Sequence, residues 1–134
     1  MKRSIVCLGI GIISLITLGC TGIKKEEASE NVVFEIVDTE EIPDEMMKII
    51  REKKEKGFRI TYEDDTGIYI GYGYGKQEWN GYQIEVDKCS VSEHFIYIHT
   101  CLLGPEKKPP KQIPSCPYAV FRVNETRKQV IFLN

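Results

Sequence analysis

The sequence predicts an α+β domain: one short helix followed by a mainly antiparallel, curled β-meander. Three observations carry that expectation. Only "IPDEMMKIIREKKEKG" (42–57) has helical periodicity. After it, runs at 58–64, 68–75, 82–91, 95–103, 118–124 and 129–134 are rich in β-branched and aromatic residues, with a two-residue alternation. Turn-forming residues, not further helical stretches, separate those runs.

"VVFEIVD" (32–38) is a β-prone run. Pro43-Asp44 opens the helix, Met46, Ile49 and Ile50 share its apolar face, and Gly57 stops it. Glu45 near the start and Lys53, Lys54 and Lys56 near the end suit the helix dipole, and the lysines read as a solvated face. "FRITYED" (58–64) ends at the turn Asp65-Thr66-Gly67, and "IYIGYGYG" (68–75) returns. The loop "KQEWNG" leads to "YQIEVDKCSV" (82–91), where Tyr82, Ile84 and Val86 face the core and Gln83, Glu85 and Asp87 face away. Continued, that alternation puts Cys89 on the polar side. "FIYIHTCLL" (95–103) is apolar on both faces, which predicts a central strand covered on both sides. A proline-rich loop (104–117) cannot pair in a sheet. "YAVFRVN" (118–124) and "QVIFLN" (129–134) close the chain as a hairpin around 125–128.

The glycines of "IYIGYGYGK" (68–76) need a reason, because glycine weakens a strand. Ile68, Ile70, Tyr72 and Tyr74 line one face, so Gly71, Gly73 and Gly75 leave the other bare beyond Tyr69. A phosphate loop requires a helix after the glycines, and a nucleotide P-loop requires Gly-Lys-Ser/Thr; here Gly75-Lys76-Gln77 and a strand follow. The bare strip therefore predicts close packing or bending, with a partner-receiving groove as the alternative.

The N-terminus has its own logic. Lys2 and Arg3 precede an apolar run from Ile5 to Leu18, too short for a comfortable membrane span. Gly19 stands immediately before Cys20, which resembles a bacterial lipobox. That resemblance implies a lipoprotein signal peptide at 1–19, a lipid on Cys20 and an extracytoplasmic domain anchored to the cell membrane. Residues 20–31 are polar and read as a tether, leaving 32–134 as the domain. Without Lys2 and Arg3, 16 of the 18 basic residues stand against 20 acids, a formal charge of −4. That balance argues against nucleic acid or an anionic membrane surface as partner.

Catalytic and metal chemistry find little in the spacing. His99 and Cys101 would share a strand face, but no third group is apparent to orient them. Cys89, His94, His99 and Cys101 lack standard zinc-ligand spacing. The expectation is a non-enzymatic domain with no metal and no cofactor. Cys101 and Cys116 bracket the proline loop. If the flanking strands pair antiparallel, a disulfide between these two closes it and leaves Cys89 free.

The segment "WNGYQIEVDKCSVSEHFIYIHTCLLGPEKKPPKQIPSCPYAVFRV" (79–123) resembles the C-terminal domain of PrcB-type protease-complex subunits. The pattern is Gly81-Tyr82 opening a strand, a second strand at 95–103, a proline-containing loop, and Pro117-Tyr118 opening the next. The family often has Pro-Thr-Gly before Gly-Tyr, and here Trp79 and Asn80 occupy the last two places before Gly81. The resemblance implies a lipoprotein that helps mature or stabilise a surface protease, and it brings no catalytic residues. Gly-Tyr after a loop is also similar to a binding loop of chagasin-like protease inhibitors, an all-β fold. The resemblances imply binding to an extracytoplasmic protein such as a protease, and the residues expected to make that contact are Trp79, Asn80, Gly81 and Tyr82, because Trp and Tyr are efficient interface anchors and a loop between strands can present them. Within the domain, alternation turns Tyr82 toward the core with Trp79 as its cap. The alternative role is a structural envelope lipoprotein that pairs through a sheet edge.

Overall fold

Each strand-forming run finds a place in one of two facing sheets, and the single helix lies across the back of one of them. The computed structural model describes residues 30–134, so the expected signal segment and Cys20 lie outside the described residues. In chain order the elements are β1 (Glu30–Asn31), β2 (Phe34–Ile36), a 3-10 turn (Thr39–Glu41), α1 (Asp44–Lys53), β3 (Phe58–Asp64), β4 (Gly67–Gly73), β5 (Gln83–Val91), β6 (Phe95–Leu103), β7 (Tyr118–Val123) and β8 (Gln129–Phe132). One sheet has the order β1-β5-β6-β8, the other β2-β7-β4-β3, and neither closes. All neighbours are antiparallel except β6 and β8. Among the described residues no helix is long and apolar enough to cross a membrane.

Two apolar layers hold this together. Between the sheets, Ile68, Ile70 and Tyr72 of β4 and Phe121 and Val123 of β7 meet Cys89 of β5 and Ile96 and Ile98 of β6. Behind the second sheet, Met46, Met47 and Ile50 of α1 pack with Ile42 on Phe58 and Val120. The buried helix face uses Met47, and the expected Ile49 is 39% exposed. Asp44 and Glu45 occupy the first turn, and Arg51 and Lys53 the last. Gly57 closes the helix at φ +92°, a conformation an L side chain rarely adopts, with its N–H donating to the Lys53 carbonyl at 3.0 Å.

The β3–β4 turn forms where its residues predicted. Asp64 Oδ1 accepts from the Thr66 N–H at 2.8 Å, the Thr66 hydroxyl at 2.7 Å and the Gly67 N–H at 3.2 Å. The Thr66 bonds, foremost among these, hold the Asp64 carboxyl below its usual range.

The bare glycine strip is filled from within. A Cβ on Gly71 would lie 2.9 Å from Met46 Cε and 3.3 Å from Phe58 Cε1, and one on Gly73 only 2.5 Å from Phe58 Cδ2. The Phe58 ring lies against Gly71 and Gly73, Met46 of the helix reaches Gly71, and the backbone of Glu55 and Lys56 lies against Gly75. A shallow hollow of about 440 Å³ opens at the Gly73 end, between Phe58, Arg59, Tyr72 and Tyr74.

The meander is where the sequence-based expectation fails. β7 does not form a hairpin with β8. It crosses to the helix-backed sheet and inserts between β2 and β4, while β8 returns to lie parallel to β6. β7 is apolar on both faces, with Val120 toward the helix and Phe121 and Val123 between the sheets, so it belongs in the helix-backed sheet, where α1 covers one face and the facing sheet the other. The excursion through β7 also supplies the long crossover a parallel pair requires. β6 is central, but its second face is uncovered among the described residues, where Phe95, Tyr97, His99 and Cys101 stay half-buried. Within the run 32–38 only β2 is strand, and β1 lies in the expected tether, where it pairs with β5, so sheet pairing begins before residue 32 and the chain changes sheets at Val32-Val33.

A bulge at Asp87 shifts the β5–β6 register between Val86 and Lys88. It inverts the alternation, so Cys89 turns into the core at 6% exposure, against the polar-side expectation. Cys89, Cys101 and Cys116 are free thiols. The antiparallel pairing that would bring Cys101 to Cys116 is absent, because β6 and β7 belong to different sheets. Burial pushes the Cys89 thiol up to about 11, which leaves roughly a thousandth of it as reactive thiolate at pH 8. In the folded protein, alkylation followed by peptide mapping should modify Cys101 and Cys116 well before Cys89. Labelling of Cys89 at the rate of the other two would contradict the bulge.

Candidate functional site

The residues that sequence marked as partner-binding sit at the end of the sandwich where both sheets stop. There Gly73 pairs with Tyr118 in one sheet and Gln83 with Leu103 in the other. The connections 74–82 and 104–117 both leave from this end, and they are tied together. The Gln77 N–H donates to the Ser115 carbonyl at 2.7 Å, and the Ser115 N–H to the Gln77 carbonyl at 3.1 Å. The Ser115 hydroxyl donates to the Trp79 carbonyl at 2.6 Å. Lys108 Nζ stands 5.3 Å from the Trp79 ring centre, a cation–π contact that bridges the two loops.

Trp79, Asn80 and Tyr82 are half-buried and Gly81 is exposed. Gly81 has φ +89°, and a Cβ there would lie 3.1 Å from Pro105 Cβ, so both conformation and close approach call for glycine. Tyr82 lies outside the core cluster between the sheets; its ring is 3.4 Å from where a Cβ on Gly104 would stand. Leu103 and Ile113 nearby are 41% and 49% exposed. Trp79 and Tyr82 thus sit at this end on a loop braced by main-chain bonds, with Leu103 closing β6 and Ile113 in the bracing loop. Ser115 and Lys108 were not singled out from sequence, and nothing in the proline-rich loop's local pattern marks them. Tyr74 braces the floor: its hydroxyl lies 2.5 Å from Thr100 Oγ1 on β6, and the Tyr72 hydroxyl donates to the Ile98 carbonyl at 3.3 Å.

A second cluster lies on the open face of the β1-β5-β6-β8 sheet. His99 and Cys101 share that face as the spacing predicted, and the third group that sequence did not reveal is Asp87. His99 Nδ1 is 2.5 Å from Asp87 Oδ1, and the Cys101 thiol donates to Asp87 Oδ2 at 3.2 Å. These bonds, that from His99 foremost, hold the Asp87 carboxyl below its usual range, and the bond to Asp87 raises the Cys101 thiol. The carboxylate favours the protonated thiol, whereas an activated cysteine nucleophile has its thiol shifted the other way. The available signal was Asp87 itself, a poor strand former in mid-strand where a bulge can seat it. Cys89 is in the core, and His94 is an exposed turn residue 3.0 Å from Glu93.

A family model described as PrcB C-terminal matches residues 68–124, from β4 through β7, and spans the loop-bearing end and the Asp87 cluster. No curated protein and no solved structure matches the chain.

Proposed function

Because residues 68–124 match the PrcB C-terminal family, we propose that this protein is an accessory, non-enzymatic subunit associated with a protease complex. In this reading a lipid on Cys20 holds it at the extracytoplasmic face of the cell membrane. Its domain grips the protease or another extracytoplasmic protein with Trp79, Asn80, Gly81 and Tyr82. The observation that carries the reading is the bracing of loop 74–82 by loop 104–117. A braced loop loses little conformational entropy on binding, and Trp and Tyr give large contact area for few rotatable bonds.

The test uses full-length protein in membranes, crosslinked and recovered with its partner, with Trp79→Ala and Tyr82→Ala alongside. Trp79→Ala should weaken capture by about 30-fold, the scale of a hot-spot residue, and leave the thermal melt within a few degrees of wild type. Metabolic lipid labelling in the same cells should mark the wild type and not Cys20→Ala. Undiminished capture by both loop variants would remove the loop from the reading, and unlabelled wild type would remove the anchor. The edge-pairing alternative is less favoured by β3, one of the two edge strands of the helix-backed sheet. Its Arg59, Thr61 and Glu63 are exposed, and charged edge strands resist pairing with other chains.

A further inference from the structure

We propose that Asp87, His99 and Cys101 form a binding site for a zinc-class divalent metal ion on the open face of the β1-β5-β6-β8 sheet. The three offer one oxygen, one nitrogen and one sulfur, and these atoms all lie within 4.8 Å of one another. Each is brought there by a separate feature of the fold. His99 and Cys101 are two residues apart on β6 and project to the same side. Asp87 is the inserted residue of the bulge, between the pairs Val86–Thr100 and Lys88–His99, so the register shift delivers its carboxylate to both of them.

The donor set selects the ion class. Imidazole with thiolate suits zinc and neighbouring first-row metals, whereas magnesium and calcium favour oxygen ligands alone. In a tetrahedral zinc site the ligand atoms stand roughly 3.3–3.8 Å apart, from bond lengths of about 2.0–2.3 Å. Cys101 Sγ lies 3.2 Å from Asp87 Oδ2 and His99 Nδ1 lies 2.5 Å from Asp87 Oδ1, so a modest turn of the carboxylate must set one oxygen at about 3.3–3.5 Å from both. The cluster is reachable from solution, since the His99 and Asp87 side chains are 30% and 42% exposed. Glu85 pairs directly opposite Cys101 and adds negative charge at the rim. Three protein ligands leave the fourth position to a water molecule or to a group from a binding partner. Binding releases the thiol proton, and the sulfur then ligates as thiolate.

Cobalt(II) is the probe, because it takes zinc's geometry and a cobalt–thiolate bond gives a near-ultraviolet charge-transfer band. Titrating reduced full-length protein should produce that band at one equivalent, and zinc should bleach it while magnesium does not. Cys101→Ser should abolish the band and Cys116→Ser should keep it. Asp87→Asn and His99→Ala should each weaken cobalt affinity by at least about tenfold, the loss already seen when only an outer partner of a ligand is removed. A wild type that shows no band overturns the site without reference to any variant. So does a band that survives Cys101→Ser, which would place the metal on another thiol.

Discussion

Replacing Phe121 by alanine is expected to destabilise the domain by about 3–5 kcal/mol. Phe121 is 1% exposed on β7, between Ile36 of β2 and Ile70 of β4 in register. Phe34 meets its ring edge-on at 5.8 Å and 86°. The cost depends on how far the surroundings can collapse into the vacated volume, and here they are held apart. Each sheet is fixed by its own ladder of main-chain bonds, and Tyr72 and Tyr74 fasten β4 and its extension to β6 through their hydroxyls. Chemical denaturation with an unchanged slope would measure the loss. Ile36→Ala is the contrast: Ile36 is adjacent to Phe121 in register yet 73% exposed, and its loss should stay within about 0.5 kcal/mol. A cost below about 1 kcal/mol for Phe121→Ala would mean that the inner faces of the sheets are not close-packed.

Gly73→Val should cost about 1–3 kcal/mol, toward the upper end of the usual overpacking range. The first atom of the new side chain would stand 2.5 Å from Phe58 Cδ2, far inside van der Waals contact, so the ring must move. Its escape is restricted by Tyr118, whose ring centre is 6.4 Å away, and Phe58 is only 8% exposed. The contact can be isolated with a double-mutant cycle. Phe58→Leu alone removes part of the ring and destabilises. Combined with Gly73→Val, it should make the pair less harmful than the sum by about 1 kcal/mol, because the smaller side chain leaves room for the valine. Strict additivity, or a Gly73→Val melt equal to wild type, would show that the strip is open and not filled by Phe58.

Local chemistry made much of this domain legible. Pro43-Asp44, the acidic first turn and Gly57 bound a helix whatever lies around it, and Asp64 to Gly67 bends the chain through bonds among its own residues. The glycine strip was readable as a close-packing face because parity along one strand needs no knowledge of the partner. The aromatic loop 79–82 could be named because Trp and Tyr on a connection between strands are conspicuous. Its bracing by Ser115 and Lys108 could not, since those residues lie in a proline-rich segment whose path has no periodicity to follow.

By itself, then, the sequence determined the helix, the strand-forming runs after it and the β3–β4 turn, though not β1, and it held a PrcB-like stretch that the family match at 68–124 supports. Periodicity, turn chemistry and short motifs are properties of neighbouring residues. Only the tertiary structure decided which strands pair. β7 and β8 have a short connection that would suit a hairpin, yet both faces of β7 are buried only in the helix-backed sheet, where it pairs with β2 and β4, and β8 is left to pair in parallel with β6. The same holds for the Asp87 bulge. One inserted residue inverts the facing of everything after it, sends Cys89 inward and carries Asp87 to His99 and Cys101. That outcome depends on the register against β6, which involves residues more than ten positions away, and no local pattern encodes it.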